Sequence, residues 1–190
     1  YGFDGGGRAQ LTSPGFVLDM PDEGAGKVTW SGLTADIDFS NDMASYTMDA
    51  SLPRFEMQDD EGHMLFADMR VTADQKRPFA DEPTFYAGTM NMAIAEVSFK
   101  MPTDDAESPD AVSMQKVAYD VAMPISGDFM DMVVKIGADT LKVGTDDYGP
   151  VHYDLSLRHI HARTAARLYA ELMKIYGDPA MQAANELDPT

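Results

Sequence analysis

The chain has 190 residues, 44% of them apolar, which is enough for one sizeable core and too much for wholesale disorder. Its net charge of −18 excludes nucleic acid and anionic membrane surfaces as partners held by charge, since either would repel it. The absence of cysteine removes disulfides, thiolate catalysis and cysteine-based metal centres.

No run reaches the ~18 apolar residues of a membrane span, and no signal-peptide pattern is present. The opening Tyr1-Gly2-Phe3-Asp4, without an initiator Met, predicts a piece of a longer protein. Gly5-Gly6-Gly7 offers no side chain to pack, so residues 1–13 read as loop or frayed edge. Phe16–Met20 is a short strand ended by Pro21. After the turn Asp22–Gly26 comes a strand with Val28 and Trp30 on one face, bent or bulged at Gly32, then Ala35, Ile37 and Phe39.

Tyr46, Met48, Ala50 and Leu52 alternate, Pro53 marks a break, and Phe55 and Met57 follow. Met64 to Val71 is apolar partly on both faces, as in a well-covered strand. Phe85 to Lys100 reads as the longest strand, with Ala93, Ala95, Val97 and Phe99 on one side and Met90, Met92 and Ile94 on the other. Val117–Met123, Met130–Ile136 and Leu141–Val143 continue the pattern. Val151, Tyr153, Leu155 and Leu157 then alternate with His152, Asp154, Ser156 and Arg158. About ten strands separated by turns predict a mainly β (α+β) fold: an extended, twisted antiparallel sheet.

The period changes at Ala162. Ala165, Leu168, Tyr169, Leu172, Ile175 and Tyr176 recur at helical spacing through residue 176, with Gly177 placed as the left-handed residue that ends the helix. The expectation is a β domain over 14–177 whose buried face is plugged by helix 162–176, followed by a short helical extension over 178–190. Burying Leu168, Tyr169, Leu172 and Ile175 would contribute roughly 6–12 kcal/mol. On that view Leu172→Asp unfolds the domain.

Gly26 to Leu33 (a Gly-x-x-x-Trp-x-Gly-Leu segment), Tyr86-Ala87-Gly88, and Leu157 to Ala162 together resemble the YdgA/YihF-like family of bacterial envelope proteins. In the last segment His159 stands where the family usually has Asn, and His161 where it usually has Asp. The resemblance spans about Gly26 to Ala170 and implies a periplasmic protein anchored in the inner membrane by a segment absent from this chain. It carries over no catalytic residues. Trp30 and Gly32 are structural positions of its motifs.

Few residues suggest chemistry. His159 and His161, with Asp154 upstream, could hold zinc or another divalent ion in a metal-dependent hydrolase; the ordinary alternative is a turn-and-cap corner between strand and helix. Asp104, Asp105, Glu107 and Asp110 lack the spacing of a calcium loop. Gly24-Ala25-Gly26-Lys27 lacks the flanking residues of a phosphate loop, and no Gly-x-Ser-x-Gly elbow occurs.

The oddity is fifteen methionines, many in strands. Met adapts to varied apolar partners, so Met48, Met90, Met92, Met130 and Met132 could line a groove for an acyl chain or a protein's apolar segment; the alternative is an ordinary core. The expected function is a non-enzymatic periplasmic module without cofactors, binding lipid or an envelope protein. A passive spacer between other domains fits the same sequence.

Overall fold

The computed structural model describes residues 6–20, 26–59, 62–100 and 111–176, and structural statements below concern those residues. In chain order the elements are β1 (Gly7–Ser13), β2 (Phe16–Met20), β3 (Gly26–Trp30), β4 (Leu33–Phe39), β5 (Ser45–Gln58), β6 (His63–Lys76) and β7 (Ala87–Lys100). There follow β8 (Ala111–Ala122), β9 (Ile125–Ser126), β10 (Phe129–Ala138), β11 (Thr140–Val143), β12 (Asp146–Asp147), β13 (Val151–His161) and helix α1 (Ala162–Tyr176).

All thirteen strands belong to one antiparallel sheet. Its path runs β1-β4-β5-β6-β7-β8-β10-β13 and does not close into a barrel. The four central strands have 12 to 14 residues. On each flank they meet two shorter strands set end to end. β5 pairs β4 through its first half and β3 through its second, and β8 pairs β11 and then β10. β2 continues outward from β3, and β12 from β11. The expected fold class is therefore observed, with more and longer strands than the sequence suggested.

A transverse crease explains why the long strands were hard to see. Between β5 and β6 the bridges Leu52↔Met69 and Arg54↔Ala67 flank a row with no bridge, occupied by Pro53 and Asp68. The same row passes through Ala95 in β7 and Lys116 in β8. On the flanks it falls at Ser31–Gly32, between β3 and β4, and at Asp139, between β10 and β11. Pro53 has no N–H to bridge with, and Asp68 and Lys116 have left-handed backbones, φ 52 and 50. Gly32 has φ 94, and a Cβ there would lie 2.7 Å from the Ser13 carbonyl oxygen, so only glycine fits.

Apolar residues step by three across the crease instead of by two: Trp30 to Leu33, Leu52 to Phe55, Phe66 to Met69, Ile94 to Val97, Met114 to Val117 and Ala138 to Leu141. One residue out of the alternating pleat is what such a step needs for an apolar set to continue on the same face. The assignment of Ala93 and Ala95 to the face of Val97 and Phe99 is corrected accordingly. Ala93 and Ala95 are exposed, whereas Ile94 and Val97 are buried.

Three further expectations are corrected. Residues 7–13 are not loop: β1 pairs β4 from Gly7↔Phe39 to Ser13↔Leu33. Met130 is not a groove residue, because it lies in the buried cluster with Phe85, Ala87, Ala162 and Ala166. The third concerns α1, which does not plug the sheet. It docks mainly through its start, where Ala162 and Ala166 are fully buried, and through the edge of the partly exposed Tyr169 on Phe85, while Leu168 is 62% and Leu172 42% exposed, and Ile175 is also exposed.

The docked side of α1 uses small residues and arginines. Arg163 lies 4.6 Å above the Phe79 ring and donates to Asp81 at 2.6 Å, and Arg167 is 3.7 Å from Glu82. Alanines allow the close approach, Tyr169 meets the Phe85 ring edge-on with centroids 6.0 Å apart, and Leu168, Leu172 and Ile175 are turned away. The expectations for Gly177, for the extension 178–190 and for Asp104, Asp105, Glu107 and Asp110 lie outside the described residues.

Candidate functional site

The sheet register assembles the methionines that sequence alone leaves scattered. One cross-strand row runs Ala9-Ile37-Met48-Ala73-Met90-Val121-Val134-Leu155, through all eight strands of the main path. The next runs Leu11-Ala35-Ala50-Val71-Met92-Tyr119-Ile136-Tyr153. Directly opposed side chains in an antiparallel sheet stand roughly 4.5–5.5 Å apart at Cβ, so each row makes a continuous apolar strip. The strips are half-buried at their centre and open toward the edges, where Leu11, Ile136 and Tyr153 are exposed. Met132 pairs with Leu157 farther along β10.

Across the crease the strip becomes aromatic. Phe16 stacks on Trp30 at 6.5 Å, Trp30 meets Phe55 at 6.2 Å, Phe55 meets Phe66 at 6.4 Å, and Phe66 meets Phe99 at 5.6 Å. Register accounts for most of this ladder, since Phe16, Trp30, Phe55 and Phe66 are directly opposed from strand to strand. Trp30 is anchored by its indole N–H, which donates to Ser13 Oγ at 3.2 Å. The sequence marked Trp30 as structural but gave no sign of the ladder, because its members are up to 83 residues apart.

Residues between those of the strips are charged and paired in ways that hold register. Arg8 donates to Asp38, Arg70 to Asp49, and Gln10 to Asp36. On the other side of the crease Glu56 accepts from Arg54 Nε at 2.9 Å and from His63 Nε2 at 3.0 Å. Those two donors, Arg54 first, hold the Glu56 carboxyl down to about 2. A shallow trough of about 310 Å³ lies among Lys116, Asp120, Lys135, Gly137, His152 and Asp154.

The expected metal ligands are not brought together. His159 has a left-handed backbone (φ 61) and stacks on Phe129 at 3.9 Å, with its N–H donated to Asp131. His161 caps α1: its Nδ1 lies 3.4 Å from the Thr164 amide and 3.1 Å from Thr164 Oγ1. Asp154 stands opposite Lys135 within the strand. Among the described residues no three His or acidic side chains form a group that could hold a metal ion. Turn and cap roles at this corner are what the structure shows.

A wide open sheet with an apolar strip, charged residues between, and an arginine-tethered helix defines an extended β protein with a broad apolar surface. The chain belongs to DUF945, a bacterial protein family of unknown function, whose pattern matches residues 1–190. No curated protein and no solved structure matches it. No helix among the described residues is long and apolar enough to cross a membrane.

Proposed function

We propose that this protein is a non-enzymatic module of the bacterial envelope that binds an elongated apolar ligand along its methionine and aromatic strips. The carrying observation is the pair of eight-strand rows, at whose edges Leu11, Ile136 and Tyr153 remain exposed. Exposed contiguous apolar surface on a sheet is a marker of an interaction site, and methionine suits a surface that must fit varied chains. The resemblance to YdgA/YihF-like proteins supports a periplasmic location with an inner-membrane anchor outside this chain.

The test is titration of the purified chain with a fluorescent long-chain fatty acid, alongside mass spectrometry of its organic extract. Saturable binding that Met92→Asp weakens, with the circular dichroism spectrum kept, supports the reading. A clean extract together with no saturable binding removes it.

A further inference from the structure

We propose that β13 is a homodimerisation edge, on which the β13 of a second copy lies antiparallel about a two-fold axis through Ser156. Among the described residues β13 pairs only with β10, so one edge of its backbone has no strand beside it. An open edge of this length is normally blunted by lysine, proline or a bulge. Val151–Arg158 has no lysine or proline, and the bulge comes only where Leu157 and Ile160 face Met132 and Met130. Leu157, inside this segment, is 43% exposed, as expected of a side chain awaiting a neighbour.

Charge selects the occupant and the register. Asp154 and Arg158 are four residues apart, and among the described residues neither is in an ion pair, nor is Lys135, opposite Asp154 on β10. In an antiparallel pair centred on Ser156, Asp154 of each copy faces the partner's Arg158, and Leu155 faces the partner's Leu157. Two ion pairs and two apolar pairs form at once, and a strand carrying −/+ at this spacing is complementary to itself. For a molecule of net charge −18, an edge that brings its own cation to each carboxylate is where self-association is least opposed.

β1, the strand at the other end of the main path, does not offer this. The one cation of β1, Arg8, already holds Asp38. Pairing β1 of one copy with β13 of the next would leave Arg158 without an acid and would grow without end. The left-handed backbone of His159 limits the ladder to about Asp154–Arg158, so the dimer is concentration-dependent.

Because the chain lacks cysteine, Ser156→Cys introduces a single thiol that meets its own copy at the axis. The roughly 4.5–5.5 Å between opposed Cα atoms lies within disulfide reach. Mild oxidation should cross-link Ser156→Cys rapidly, and Thr12→Cys on β1 no faster than random collision. In sedimentation velocity, Arg158→Asp should weaken the dimer about tenfold or more, and the double variant Asp154→Arg/Arg158→Asp should restore it. Circular dichroism confirms that each variant is folded. A monomer at all concentrations, equal cross-linking of the two cysteines, a dimer indifferent to Arg158→Asp, or an open-ended series of larger species would each overturn the proposal.

Discussion

Asp68 and Lys116 hold left-handed backbones on either side of Ala95, in the row where the central strands lose their bridges. Neither is glycine, so each resists its own conformation by roughly 1 kcal/mol. Asp tolerates it better than most, because its short side chain can bond locally; a β-branched residue cannot. Asp68→Val is expected to cost about 1–2 kcal/mol in urea denaturation, and Asp68→Gly to be neutral or slightly stabilising. Equal losses in both variants would mean that the Asp68 side chain, not its backbone, matters at the crease.

Glu56 gives a pH dependence of definite sign. Its carboxyl is held down to about 2 by Arg54 and His63 when folded, against an ordinary value of 4.5. The folded state therefore gains stability from this group above about pH 4.5 and loses it as pH falls toward 2. Arg54 is partly exposed, so solvent screening limits the effect to about 1–2 kcal/mol. Glu56→Gln should be less stable than the parent by that amount at pH 7, and the gap should close below pH 2. A gap that does not change with pH would assign the loss to packing.

The fold class was legible because alternation with a period of two is written directly in residues 46–52 and 151–157. The crease was not, because a three-residue step looks like a strand end. Pro53 has the look of a break in the sequence, yet β5 runs through it from Ser45 to Gln58. Met64 to Val71 looked apolar on both faces because the step from Phe66 to Met69 crosses Asp68. The strips were illegible for a different reason: the register that aligns Met48 with Ala73 and Met90 is a property of paired strands, not of any one of them. The helix limits were legible, but its orientation was not. Leu168, Leu172 and Ile175 form the obvious apolar stripe, whereas Ala162 and Ala166 make the contact because only small side chains let the backbone come close.

That reversal makes the helix testable. Leu172→Asp, on a 42% exposed residue, should change stability by no more than about 0.5 kcal/mol. Ala166→Asp should cost about 3 kcal/mol or more, since it puts an unpaired carboxylate at a fully buried position beside Phe85 and Met130. Chemical denaturation of the two variants checks both. The opposite order would mean that the apolar stripe, not the alanines, seats α1.

At the corner where β13 becomes α1, His161 does a cap's work with a ring nitrogen 3.4 Å from the Thr164 amide, a long contact for an N-cap. Aspartate is a better acceptor at this position, and its charge also suits the positive end of the helix dipole. His161→Asp should therefore stabilise the chain by about 0.5–1 kcal/mol at pH 7. His161→Ala should destabilise it by about as much, because the amide of Thr164 then has only water. Urea midpoints of the three proteins, measured at constant salt so that added negative charge is screened alike, decide it. If His161→Asp fell below the parent, the T-shaped contact of the imidazole with Phe129, ring centroids 6.0 Å apart, would outweigh the cap, and the histidine would be holding the corner through its ring.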